Sequence, residues 1–351
     1  MKTIRVAIIG VTQPHGQGYI DTLRMLPGVE IVGGYDLDDD TRARAAIALG
    51  IGAPIYDHVE GLLDNARPDA VVITVPPVMA PGIVVAAAQR GIHMVIEKPS
   101  ARTAAEFLPA VEAVETCGVA VWTGFLRRYS PIGLQIRALI EDGLLGNLVS
   151  AEIWHQSRNV RLRGPEQWMF QRDQTGGGMV HWLGVHWIDQ MLFLNGGELT
   201  DLSAMLDMRA EGIDVEDTAA ITLRFADRMI GSISCGYVLD GTPDQVSMRV
   251  HGDKGWVIWQ NDNPEFTVHS SDERWKSAPQ RTLRFELSPF AGYGGAMGRA
   301  HMEDFLSAAR GQAPVGSGAR DILRILRILD AIQESDRTGC RVSLEPEPRS
   351  P

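Results

Sequence analysis

Up to about residue 123 the chain alternates short apolar runs with stretches of helical character. The runs Ile4–Gly10, Val29–Tyr35, Ala70–Val75, His93–Glu97 and Val119–Thr123 are largely unbroken by polar residues. Strands buried on both faces read this way. The stretches between them have recognisable helix ends. One runs from about Gly18 to Met25; another, Asp38–Leu49, opens on aspartates that suit a helix N-terminus. Pro81 opens a third that Gly91 closes, and Thr103-Ala-Ala-Glu106 is a capping box for a fourth that Gly118 ends. Strand and helix in alternation predict a doubly wound parallel sheet with helices on both faces.

Beyond residue 124 the period changes. Helices are predicted at Pro131–Glu141, Gly178–Leu194, His301–Arg310 and Asp321–Asp336, and a strand at Leu148–Gln156. From about 200 to 287 apolar and polar residues alternate. Ala219, Ile221, Leu223 and Phe225 point one way while Thr222 and Arg224 point the other. Met229–Tyr237 and Gln245–His251 behave alike. This predicts a large, mostly antiparallel open sheet with one face packed. There is no internal repeat, low-complexity tract or long linker. The expectation is an N-terminal α/β domain over residues 1–123 and a C-terminal α+β domain over 124–351.

Composition narrows the function classes. A chain of 351 residues is long enough for two domains. A net charge of −11 argues against nucleic acid or an anionic membrane surface as partner. Cys117, Cys235 and Cys340 are few and far apart, which fits a reducing compartment without disulfides or a zinc ribbon. Met1–Val6 runs straight into a strand pattern with no signal-peptide features. No apolar stretch approaches the ~20 residues that span a bilayer. The expectation is a soluble cytoplasmic protein.

Three tracts carry candidate chemistry. The first turn reads Gly10-Val-Thr12-Gln-Pro-His15-Gly16-Gln-Gly18. A dinucleotide fingerprint has three glycines here; Gly10 fits, but Thr12 and His15 stand at the next two glycine positions. Asp36 follows the second strand, where a carboxylate can accept both hydroxyls of an adenosine ribose and repel a 2′-phosphate. No arginine or lysine stands at 37–40, which favours NAD over NADP. The plain alternative is that Asp36 merely starts the run of helix-capping aspartates. In the second tract, Glu97-Lys98-Pro99 ends a strand on the side where open α/β sheets place ligands. Lys98 is then a substrate contact or a salt-bridged edge residue. The third tract runs from Gly176-Gly-Gly through His181, Trp182, Gly184 and His186 to Asp189. A histidine there suits the role of proton acceptor when a secondary alcohol is oxidised. In a regular helix Trp182, His186 and Asp189 share a face, and His181, five before His186, points elsewhere. His155, His181, His186 and Asp189 are metal-ligand types, but that spacing is poor and no metal is assigned.

Taken in order, Asp36, Glu97-Lys98-Pro99, Phe125-Leu-Arg127-Arg128-Tyr129, the Gly176–Asp189 tract, Asp217, and the final helix followed by Val342-Ser343-Leu344 resemble the glucose–fructose oxidoreductase / inositol dehydrogenase / MocA family over nearly the whole chain. The resemblance implies NAD(P)-dependent oxidation of sugars, polyols and related alcohols. It implies an N-terminal Rossmann domain, and a C-terminal domain that binds substrate and forms a homo-oligomer, a dimer or tetramer, through its open sheet. The lysine matching Lys98 orients substrate and relays protons, and the histidine matching His186 is the acid/base. Gly10, Thr12, His15, Gly16, Asp36, Thr74, Pro76, Glu97 and Lys98 become candidate cofactor contacts. Arg127, Trp154, Arg158, Trp168 and Trp182 become candidate substrate contacts, and His181 and Asp189 join His186 and Lys98 as candidate catalytic groups. Two features depart from the family pattern. Trp182 stands where many members carry an acid four before the histidine, and the glycine turn is degenerate. The missing acid motivates a second reading, a lyase or glycosidase that retains its NAD through a transient oxidation; a third is an NAD-binding regulator without turnover, against which Lys98 and His186 argue.

Overall fold

The structure, a computed structural model, describes residues 2–50, 52–239, 244–261, 263–286, 289–313 and 318–345. The predicted alternation at 240–243, 262 and 287 lies outside these residues. The N-terminal elements are β1 (Ile4–Ile9), α1 (Gly16–Met25), β2 (Val29–Tyr35), α2 (Asp39–Leu49), β3 (Ile55–Tyr56), α3 (Val59–Ala66), β4 (Ala70–Ile73), α4 (Ala80–Ala88), β5 (His93–Ile96), α5 (Ala104–Cys117) and β6 (Val121–Thr123). All six strands are parallel, in the order β3-β2-β1-β4-β5-β6. The order reverses between β1 and β4, and ligands bind beyond the carboxyl ends of the strands at such a reversal. The sequence reading passed over β3 and α3. β3 has two residues and α3 eight, too short to show a period. At α2, Asp38 accepts the Thr41 N–H at 2.8 Å while the Thr41 hydroxyl accepts the Asp38 N–H at 2.9 Å, closing a reciprocal cap.

The C-terminal part begins with α6 (Pro131–Glu141), β7 (Leu148–Gln156), α7 (Asn159–Arg163) and α8 (Arg172–Thr175). A π-helical turn, Val180–Gly184, then leads directly into α9 (Val185–Asn195). Strands β8 (Leu199–Asp207), β9 (Thr218–Phe225), β10 (Ile230–Gly236), β11 (Gln245–Gly252), β12 (Gly255–Gln260), β13 (Glu265–Ser270) and β14 (Gln280–Arg284) follow. The helices α10 (Gly295–Ala309) and α11 (Ala319–Thr338) and the short β15 (Val342–Ser343) end the described chain. The nine-stranded sheet runs β14-β13-β12-β11-β7-β10-β9-β8-β15, antiparallel except for the β7–β10 pair. As the alternation predicts, Ala219, Ile221, Leu223 and Phe225 are buried and the residues between them are not.

Two compact units result: residues 1–129 with 288–323, and residues 130–287 with 324–351. The first crossing falls between Tyr129 and Ser130, and the chain crosses again at 287/288 and 323/324. The chain returns to the first unit because α10 buries Met302, Phe305 and Leu306 in the core of Val6, Ile8, Tyr19, Ile20, Val72, Val95 and Trp122. Each such side chain contributes about 1.5–3 kcal/mol on burial. β1 and β4 are filled mainly by Ile, Val and Ala, and α10 covers apolar surface that the first 123 residues leave open. Among the described residues no helix is long and apolar enough to cross a membrane.

Candidate functional site

In the first unit the carboxyl ends of β1, β2, β4 and β5 present Gly10, Asp36, Thr74 and Glu97-Lys98. Gly10 has φ +97°, and a Cβ there would lie 2.6 Å from Thr74 Oγ1. Only glycine satisfies both conditions. The Thr74 hydroxyl donates to the Gly10 carbonyl at 2.6 Å and so ties the turn to β4. Gly16 is equally confined, since a Cβ would meet the Val11 carbonyl oxygen at 2.4 Å. Thr12 donates its N–H to Asp36 Oδ2 at 2.6 Å. Pro76 is buried two residues beyond Thr74. The cofactor candidates thus cluster at the point of strand reversal.

Glu97 anchors a network beneath the turn. Its Oε1 accepts the Tyr19 hydroxyl at 2.7 Å, and its Oε2 lies 3.4 Å from His15 Nδ1. His15 adopts a left-handed conformation, φ 74°, at the third glycine position, and its ring stacks on Tyr293 at 4.2 Å. Burial works to raise the Glu97 carboxyl, but His15, Lys98 and Tyr19 outweigh it and hold it below the usual carboxylate range. Burial and the neighbouring Glu97 push the Tyr19 phenol well up, so it remains a donor. Lys98 is 4% exposed and joined to Pro99 by a cis peptide. Near this network His301 on α10 donates its Nε2–H to the Thr123 carbonyl at 2.8 Å; burial lowers its pKa. Tyr293 and His301 were not candidates in the sequence. They lie far along the chain, on the segment that returns to the first unit.

In the second unit the glycine tract has a definite task. A Cβ on Gly177 would fall 2.2 Å from His181 Nδ1, and one on Gly178 would fall 2.0 Å from the Glu216 carbonyl oxygen. The bare backbone lets His181 and Glu216 close over it. Glu216 accepts the Met179 N–H on its carbonyl at 2.7 Å and the Val180 N–H on Oε1 at 3.3 Å, capping the helical tract from a distant strand connection. Its Oε1 also lies 3.7 Å from His181 Nδ1, both side chains being buried. Burial opposes ionisation of Glu216, but His181 and the Gly178 backbone prevail and its pKa is lowered. Asp217 holds the connection in place, taking the Arg209 and Ala210 N–H groups on Oδ2 at 2.9 and 2.6 Å. A carboxylate–histidine pair therefore exists, but on His181, with an acid the sequence reading missed. Only the fold brings residues 181 and 216 together.

The expectation that His181 and His186 diverge holds for a regular helix, and this tract opens on a π turn instead. Five residues of α-helix set two side chains roughly 140° apart. A turn with i→i+5 bonds advances less per residue and narrows that gap. His186 is half-buried and Asp189, one turn on, is buried at 1% exposure. Trp182, in the place of the family acid, is buried and meets the half-buried Trp168 edge to face at 5.3 Å. Arg158 is half-buried at the start of α7. Arg127, in the first unit, is half-buried on a 3₁₀ turn over Leu126–Tyr129. Trp154 is not part of this cluster. On β7 it lies on the open face, 42% exposed, while its neighbour His155 faces inward and accepts the Trp187 indole N–H at 2.9 Å. Among the described residues no group of three or more His, Cys, Asp and Glu could hold a metal ion.

The first unit fits an NAD cofactor. Its glycine turn has no room for side chains, a helix N-terminus follows, and a buried carboxylate stands at the end of β2. Arg42 donates to the Asp36 carbonyl and pairs with Asp39. Comparison with known proteins agrees. The family model for the NAD-binding Rossmann fold of the oxidoreductase family matches residues 4–125, and that for the GFO/IDH/MocA C-terminal domain matches 134–258. A levoglucosan dehydrogenase of Pseudarthrobacter phenanthrenivorans is 24% identical over 86% of each chain. An inositol 2-dehydrogenase of Rubrobacter xylanophilus is 27% identical over 98% of this chain and 94% of its own. The fold matches a levoglucosan dehydrogenase solved with NADH and L-sorbose at a TM-score of 0.85, with 24% identity over 98% of this chain and 100% of that one. The chain belongs to the Gfo/Idh/MocA family of NAD-binding oxidoreductases.

Proposed function

We propose that this protein is an NAD-dependent dehydrogenase that reversibly oxidises a secondary hydroxyl of a sugar, polyol or glycoside. The observation that carries the reading is the buried Lys98, placed at the carboxyl end of β5 beside an ionised Glu97. When bound, NAD supplies the hydride acceptor. Lys98 stabilises the negative charge that develops on the substrate oxygen. His186 takes the hydroxyl proton and Asp189 orients it. Glu216 positions His181, which provides a second proton path. The Trp168–Trp182 corner offers apolar faces to a sugar ring, with Arg158 for its hydroxyls or a carboxylate. The second unit binds substrate, and its open sheet face serves self-association.

The names of two relatives, a levoglucosan and an inositol dehydrogenase, support this substrate class. The retained-NAD lyase reading rests on the missing acid at Trp182, and the relatives' names favour a dehydrogenase over it. The test is a panel of sugars, polyols and glycosides followed at the NADH absorbance band, with NAD and NADP in parallel. Net NADH formation with NAD is expected for at least one substrate. Lys98→Met should lower turnover by at least ~10²-fold while the protein still folds and binds NAD. Persistent activity in that variant, or a clear preference for NADP, would sink the reading.

A further inference from the structure

At the end of β2 the Asp36 carboxylate has no exposed surface and accepts three hydrogen bonds. Oδ2 receives the Thr12 N–H at 2.6 Å. Oδ1 receives the Leu37 N–H at 2.9 Å and the Gln13 side-chain amide at 2.8 Å. Two of these donors are main-chain groups fixed with the fold. The third is a side chain that can rotate away. The backbone at Gln13 is itself held, its N–H donating to the Gly10 carbonyl at 3.1 Å and its carbonyl accepting the Gly16 N–H at 3.0 Å. The aliphatic stem of Gln13 lies across the glycine turn, with Cγ 3.1 Å from where a Cβ on Gly10 would be. One side chain therefore covers both places a dinucleotide needs: the bare turn that receives a pyrophosphate and the carboxylate that receives a ribose diol.

We infer that Gln13 is a self-cap on the adenosine-ribose anchor. Its amide holds the place of a ribose hydroxyl on Asp36, and it must swing out before a dinucleotide engages. The inference rests on Asp36 being the ribose acceptor of the proposed function. A neutral N–H donor and a neutral O–H donor compete for the same oxygen, so the apparent affinity falls by the fraction of molecules with Gln13 turned out. The cap also adds a third hydrogen bond to the two main-chain ones on this buried carboxylate.

The test is equilibrium binding to the full chain without substrate, by titration calorimetry. The ligands are NAD, ADP-ribose and nicotinamide mononucleotide, and the variants are Gln13→Ala, Gln13→Asn, Asp36→Ala and Gln13→Ala/Asp36→Ala. Gln13→Ala should tighten NAD and ADP-ribose about tenfold and leave nicotinamide mononucleotide unchanged. It should also lower the ligand-free unfolding temperature. Asparagine is too short to reach Asp36, so Gln13→Asn carries the same expectation if the alanine variant folds poorly. Asp36→Ala should weaken NAD, and adding Gln13→Ala to it should give no further gain. If Asp36→Ala weakens NAD but neither Gln13 variant tightens it, the cap is wrong and the cofactor reading stands. If Asp36→Ala leaves NAD affinity unchanged, both fall.

Discussion

Glu97, Glu216 and His301 are buried groups whose folded environment resists protonation. The consequence for stability has a definite sign. The two carboxylates bind protons less readily folded than unfolded, so their contribution is complete above ~4.3 and is lost as pH falls through their lower folded values. For His301, the unfolded chain takes up a proton below ~6.5 that the folded one declines, so stability begins to drop there. Calorimetric unfolding temperatures should be level from about pH 8 to 7, decline below ~6.5 and fall more steeply below ~4.3. His301→Gln keeps an N–H for the Thr123 carbonyl and cannot titrate. It should flatten the slope between about pH 6.5 and 5, and an unchanged slope would assign that titration elsewhere. Glu216→Gln tests the second unit at the same scale. It keeps the shape and removes the charge beside His181. We expect a stability loss of ~1–3 kcal/mol in urea and a fall of at least about tenfold in kcat. Loss of stability alone would make Glu216 a structural cap. Asp36 and Lys98 were legible in sequence because each follows directly on a strand. Glu216 was not, because nothing local marks an acid that meets His181 only across the fold.

At the scale of elements, the sequence pattern located the strands and most helices but hid the turn that matters most. The Gly176–Asp189 tract reads as glycines followed by one regular helix. The chain instead winds its first turn as a π-helix over Val180–Gly184. A hydrophobic repeat cannot report this, because the apolar residues are buried on nearly every side of the tract. Packing is tight where the tract begins: Glu216 lies against the Gly178 backbone and the His181 ring against Gly177, where no Cβ fits. Gly178→Ala should therefore cost ~1–3 kcal/mol through overpacking. It should also weaken the near-ultraviolet circular dichroism of the Trp168–Trp182 pair as the start of the tract shifts. Gly82 is the contrast: an exposed residue inside α4 with nothing within 4 Å of a Cβ. Gly82→Ala should be neutral or stabilising by up to ~1 kcal/mol. Equal behaviour of the two variants in denaturant titrations would contradict this account of the glycine tract.

For the whole molecule, the change from continuous apolar runs to alternation marked where the second fold type begins. It could not show that residues 288–323 return to the first unit, because α10 reads as an ordinary amphipathic helix and carries no sign of which core it joins. The alternation did carry one further message, that one face of the nine-stranded sheet is packed and the other keeps exposed residues. On that face Trp154 sits between Ser234 and Ser247 on the neighbouring strands, and Met205 pairs with Ala220 at 78% exposure. Together with Ser203, Thr222 and Ser232 these residues line a trough of about 1420 Å³. An exposed sheet face that carries large apolar side chains among small polar ones is a surface on which a second sheet can pack. A dimer or tetramer is therefore expected by sedimentation equilibrium and light scattering at micromolar concentration. The double substitution Trp154→Glu and Met205→Glu buries charge at any such contact and should give a smaller species with unchanged far-ultraviolet circular dichroism. A wild-type monomer, or an oligomer indifferent to both charges, would leave this face without the role proposed for it.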